Sequence, residues 1–113
     1  MTRKVLGLAV VLVILTAVGA SAQDKFFSKT DVKQVWVERD TSTGDIWLIV
    51  EFNESFSLQG ITYNGCSRVV NDYSEAHQFA LWIAKGKIKG FRVRTGGTRN
   101  GLALADITRW YYK

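Results

Sequence analysis

The sequence predicts a mainly β domain with one helix, in the order β-β-β-α-β-β. Three observations predict it. Two segments rich in Val, Ile and Trp flank a polar turn at residues 40–44, one amphipathic helical pattern covers residues 72–85, and further apolar alternation lies on either side of a Gly-rich loop at residues 96–101.

The 113 residues begin with a segment that stands apart from this domain. Arg3 and Lys4 precede an uncharged, Val/Leu-rich run from Val5 to Gly19, and Ala20-Ser21-Ala22 precedes polar Gln23-Asp24-Lys25. This is the basic, apolar, small-x-small order of a cleavable secretory signal. A retained anchor is the competing reading, because about 18 uncharged residues just span a bilayer. The small-residue site, Gly7 and Gly19 favour cleavage, and no cysteine stands near the junction to take a lipid. The expectation is a signal over residues 1–22, an N-terminal extension over 23–31 and one domain over 32–113, in a protein exported to the periplasm or secreted, with no membrane span after cleavage.

The remaining chain is long enough for one compact core and too short for two. Cys66 is the single cysteine, so no intramolecular disulfide forms and folding rests on packing. A buried small hydrophobe is the ordinary role of such a residue, and an intermolecular bridge or reactive thiol the sharper one.

Val32–Arg39 and Asp45–Phe52 read as a hairpin around Asp40-Thr41-Ser42-Thr43-Gly44. With Val37 opposite Leu48, Val35 meets Val50 on one face, while Trp36/Ile49 and Glu38/Trp47 pair on the other. The inward set is Val35, Val37, Ile46, Leu48, Val50 and Phe52. Residues 53–71 are punctuated by Asn53-Glu54-Ser55, Gly60 and Asn64-Gly65, and read as one broken strand within Gly60–Val70. From Asp72 to Lys85, Ala76, Phe79, Ala80 and Ile83 share a helical face; Asp72 caps the first turn, Glu75 stands three residues on, and Gly86 terminates. Leu81 and Trp82 lie off that stripe and hint at a second contact. In Lys87–Thr95, Ile88 is out of phase with Phe91 and Val93, so a bulge near Gly90 brings all three inward and turns Lys87, Lys89, Arg92 and Arg94 outward. Leu102–Tyr112 is the last strand, with Ile107 inward.

Three strands, a helix and two strands suit a five-stranded Greek-key OB-fold barrel. A ferredoxin-like order needs a second amphipathic helix, which residues 53–71 do not offer. Val35–Phe52 followed by Cys66, and the Ala-Leu-Trp-Ile-Ala-Lys-Gly-Lys helix end within Ala76–Arg94 followed by Ile107, resemble the small OB-fold B subunits of bacterial AB5 toxins. The resemblance implies an OB barrel, ring-shaped oligomers and glycan recognition. Those subunits usually carry a disulfide, which the lone Cys66 cannot form, so no sugar site is transferred residue by residue.

Catalysis, metal and cofactor chemistry find no support in the residues. His77 is the one histidine, on a helix flank, with no metal-ligand spacing, phosphate-cradling loop or nucleophile motif around it. Charge is more informative. Residues 23–75 hold nine acids and five bases, and residues 76–113 eight bases and one acid. Lys87, Lys89, Arg92, Arg94 and Arg99, with Trp110, Tyr111 and Tyr112 nearby, form a basic, aromatic surface suited to a glycan or another polyanion. A solvated outer face, or pairing with the acidic half, is the plain alternative. Export disfavours nucleic acid as the partner. Trp36, Trp47 and Ile49, on the outward face of the first hairpin, form a candidate interface for a homo-oligomer or a partner protein; if residues 53–71 cover them, a monomer is expected.

Overall fold

A computed structural model describes residues 22–113; the segment read as a signal lies outside the described residues apart from Ala22. The strands are β1 (Gln23–Phe26), β2 (Val32–Arg39), β3 (Ile46–Leu58), β4 (Ile61–Val70), β5 (Ile88–Arg94), β6 (Thr98–Arg99) and β7 (Leu102–Tyr112), with α1 (Tyr73–Ala84) between β4 and β5 and a 3-10 turn, Lys29–Asp31, between β1 and β2. The domain is mainly β with one helix. Seven strands replace the expected five, because residues 23–26 and the Gly-rich loop each supply a short strand.

The sheet runs β1-β5-β7-β4-β3-β2, with β6 paired to β7. All neighbours are antiparallel except β4 and β7, which run parallel through Gly65–Ser67 and Leu104–Asp106. The sheet is open, since β1 and β2 end the path on opposite edges.

In the β2–β3 hairpin, Val35 meets Val50, Trp36 meets Ile49, Val37 meets Leu48 and Glu38 meets Trp47, the register that alternation of the two faces requires. Leu48, Val50 and Phe52 are buried, with Val35, Val37 and Ile46 packed against them. Strand β3 continues past Phe52 through an irregularity between Glu51 and Phe56. It then reverses through Gln59 and Gly60, both with positive φ (53° and 80°), the geometry that tight two-residue hairpin turns favour. Residues 53–71 are therefore a hairpin arm and its return strand, more than the single broken strand read from the sequence.

Helix α1 starts where its caps dictate. Asp72 Oδ1 accepts the Glu75 amide at 2.8 Å, Glu75 Oε1 accepts the Asn71 amide at 2.9 Å, and Gly86 leaves the helix at φ +76°. Ala76 and Ile83 are fully buried, and Phe79 and Ala80 pack on the core.

Register shifts in β5 between Ile88 and Gly90 bring Ile88, Phe91 and Val93 inward together. Residues 23–31, read as an extension, are built into the domain. Strand β1 pairs with β5, and Phe27 packs 5.2 Å from Phe52 and 4.9 Å from Phe91 between ring centroids. Cys66 is free and buried in the core, and desolvation raises its thiol pKa well above the usual value.

Candidate functional site

The bulge in β5 aims its cations outward, and their neighbours decide which of them stay available. Arg92 Nη1 lies 3.1 Å from Asp24 Oδ1 on β1, and the Tyr111 hydroxyl donates to that same oxygen at 2.7 Å. The Tyr111 contact first, and Asp24 after it, raise the already high pKa of Arg92. Arg94 Nε meets Asp106 Oδ2 at 2.8 Å on β7. Arg99, carried by β6, reaches Glu38 at 3.3 Å and Asp40 at 3.1 Å. Three of the five cations assigned to ligand binding are thus engaged by carboxylates, and two of those three, Arg92 and Arg99, by carboxylates of the acidic N-terminal half. Lys87 and Lys89 make no ion pair among the described residues.

The C-terminal aromatics divide in the same way. Trp110 faces inward, stacked on Phe79 at 4.2 Å with the ring planes 6° apart and edge-on to Phe91 at 5.2 Å. One of its faces is therefore occupied by the core. Tyr112 is about half exposed (51%), and its ring meets Trp82 at 5.8 Å in an edge contact.

The end of β7 is fastened beside the helix terminus by backbone bonds: Lys87 N donates to Trp82 O at 2.8 Å, and Lys113 N to Lys87 O at 3.0 Å. Together these residues form an open cleft of about 510 Å³ lined by Trp82, Gly86, Lys87, Tyr112 and Lys113. Gly86 suits this place, since a side chain there would be strained by its positive φ and would meet Lys29 at 3.4 Å. Lysines cluster where the α1 macrodipole is negative, an arrangement that lets them stand close together.

Lys87 and Tyr112 are thus brought together, whereas Arg92, Arg94, Arg99 and Trp110 are drawn into other contacts. Trp82, Gly86 and Lys113 complete the cleft and were not singled out as site residues. Trp82 carried a signal, being apolar yet off the main helical stripe.

Comparison with protein-family models, curated proteins and solved structures found no match.

The outward face of the first hairpin is closed over. Ile49 has no exposed surface, and Trp36 and Trp47 are half-buried, which corrects the expectation of an exposed aromatic patch. The β6–β7 hairpin reaches over Trp47 and Glu38 on this face. The Arg99 guanidinium lies 4.2 Å from the Trp47 ring centroid. Glu38 accepts from Trp36 Nε1 at 3.0 Å and from Asn100 Nδ2 at 2.8 Å.

His77 is exposed on the helix, stacked against Tyr73 at 6.2 Å. Among the described residues no group of three or more His, Cys, Asp or Glu is arranged to hold a metal ion, and no helix is long and apolar enough to cross a membrane.

Proposed function

We propose that this chain is an exported, non-enzymatic binding module of OB-fold type whose ligand is an acidic glycan or a similar anionic polymer. The observation that carries the reading is the cleft at the helix end. Lys87 and Lys113 stand there without carboxylate partners among the described residues, beside an exposed Tyr112 and Trp82. Cations supply affinity for a polyanion and aromatic surface supplies stacking area, so this corner combines both requirements.

The order of the five long strands supports the OB assignment. Numbered without β1 and β6, they meet as 1-2-3-5-4 with the third and fifth parallel, as in a partly open Greek-key barrel. Closing that path requires the first strand to reach the fourth. Strand β1 occupies that position on β5, separated from β2 by residues 27–31, so the first strand is in effect broken in two. The likeness to toxin B subunits belongs to this reading at the level of outline, and export rests on the order of Arg3-Lys4, Val5–Gly19 and Ala20-Ser21-Ala22.

Retention of residues 23–113 on a heparin column tests it. Lys87→Ala with Lys113→Ala should elute at lower salt, with the slope of log affinity against log salt reduced by about one per lysine that contacts the polymer. Arg92→Ala with Arg94→Ala should change less, since each arginine already has a carboxylate. Equal losses from both pairs, or none from the lysine pair, would count against the cleft.

A second reading, an assembly subunit that contacts copies of itself, draws on a different feature. The free edge of β2 borders an apolar groove of about 490 Å³ that includes Val32, Val35, Ala80 and Leu81, and Leu81 is 47% exposed. Leu81→Glu should then lower the mass measured by light scattering, and a wild type already monomeric at high concentration removes this reading.

A further inference from the structure

We propose that the cleft beneath the β6–β7 hairpin is a separate binding site for a small, neutral ligand bearing hydrogen-bond acceptors. It shares no residue with the lysine cleft and does not depend on that assignment. The starting observation is Trp47 Nε1, the one buried side-chain nitrogen or oxygen among the described residues that has no hydrogen-bond partner. A donor left in this state costs about 1–3 kcal/mol, and folded proteins rarely leave one so. Trp36, on the same face of the hairpin, has its indole N–H satisfied by Glu38.

Space lies beside the Trp47 side chain that carries this donor. Trp47, Ser67, Gly97, Thr98, Arg99 and Leu104 line a half-open cleft of about 240 Å³. A single water occupies about 30 Å³ of liquid, so the cleft exceeds what one bridging water fills. It is smaller than the roughly 300–1,000 Å³ typical of drug-sized ligands. Ser67, only 6% exposed as a residue, stands in the lining, and Leu104 adds an apolar surface.

Charge selects against anions. Arg99 is already held between Glu38 and Asp40, so the rim carries two carboxylates for one guanidinium. Arg99 also covers one face of Trp47, which leaves the indole edge, with its N–H, as the part that can donate to a ligand.

Entry requires the hairpin to move outward, because solvent does not reach Nε1 in the closed arrangement. That movement is confined to the hairpin beyond Gly96, whose backbone is held against Leu104 and by its amide on the Tyr63 hydroxyl. Nothing lies within 4 Å of the Cβ positions of Gly97 and Gly101, and the shift must release the Arg99 contacts to Glu38 and Asp40. A ligand acceptor on Nε1 then supplies the hydrogen bond that the closed state lacks.

The test follows the indole N–H resonances of the protein labelled with ¹⁵N at tryptophan, whose sequence holds four tryptophans, with Trp47 assigned from Trp47→Phe. Myo-inositol, glycerol and acetamide serve as neutral probes, and inositol hexakisphosphate as the anionic counterpart of the first. The expected result is a saturable shift of the Trp47 resonance with at least one neutral probe and none with the hexakisphosphate. Ser67→Ala, its fold checked by a wild-type urea midpoint, should weaken that binding about three- to tenfold through loss of one hydrogen bond. No saturable shift with any of the three neutral probes, unchanged affinity in Ser67→Ala, or an equal response to the hexakisphosphate overturns the proposal.

Discussion

The Arg99 guanidinium lies 4.2 Å from the centroid of the Trp47 ring while its two terminal nitrogens reach Glu38 and Asp40 at 3.3 and 3.1 Å. One side chain from a Gly-rich loop thereby joins the β6–β7 hairpin to both strands of the first hairpin. Its side chain is only 21% exposed, so these contacts are less screened than ordinary surface pairs. A cation over an indole contributes about 0.5–2 kcal/mol depending on desolvation, and each ion pair up to about 1 kcal/mol. Arg99→Ala should therefore destabilise the domain by about 1–3 kcal/mol in urea unfolding. It should also make Trp36 and Trp47 more accessible to acrylamide quenching in the folded state. A variant with wild-type midpoint and quenching would show that the hairpin is held by other contacts.

The same junction predicts an acid response through Asp40. Its carboxyl is held well below the usual carboxylate range, chiefly by the Ser42 hydroxyl at 2.6 Å and then by Arg99, with the Ser42 and Thr43 amides adding further hydrogen bonds. The folded-state value lies below the unfolded one, so the ionised form is the one that folding favours. The stability Asp40 contributes is complete above about pH 4, the unfolded aspartate value, and is lost as pH falls from there toward the folded value. Asp40→Asn should lower the urea midpoint at pH 7, and the gap from wild type should narrow at pH 3. A gap that stays constant or widens toward acid would contradict this ordering.

Much of this junction was legible in the sequence one element at a time, but not as a junction. The β2–β3 register follows from alternation within Val32–Arg39 and Ile46–Phe52, because a one-residue slip would carry Val35, Leu48 and Val50 out of the core. The α1 boundaries follow from Asp72, Glu75 and Gly86, whose chemistry is local. What packs on Trp47 is not local. Its strand has apolar side chains on both faces, and its partner Arg99 comes from a hairpin about 50 residues farther along the chain, announced only by glycines and polar residues. The Gln59-Gly60 turn was hidden because glutamine is not among the residues that usually signal a left-handed turn position. Strand β1 was hidden because Asp24 and Lys25 are polar and Phe26 is exposed, leaving Phe27 as its core contact. Charge shows the same limit. The acidic and basic halves are separated along the chain but interleave in space, where Asp24 meets Arg92 and Glu38 and Asp40 meet Arg99.

The most demanding steric point in the sheet is Gly65, which pairs with Glu51 on one side and Leu104 on the other, where β4 lies between antiparallel β3 and parallel β7. A Cβ at Gly65 would stand 2.0 Å from the Val50 carbonyl oxygen and 2.9 Å from the Glu51 Cα. Both are backbone atoms in paired strands and cannot swing aside as a side chain would. Gly65→Ala should therefore cost about 3 kcal/mol or more, at the upper end of overpacking effects. Gly97 is the matched control, since nothing lies within 4 Å of its Cβ position and it has no positive φ to strain a side chain. Gly97→Ala should fall within about 0.5 kcal/mol of wild type, as open surface positions do, or be slightly stabilising by restricting the unfolded chain. Urea midpoints of the two variants measured side by side decide the matter. Equal midpoints would mean that β3 and β4 do not approach as closely at Gly65 as this packing requires.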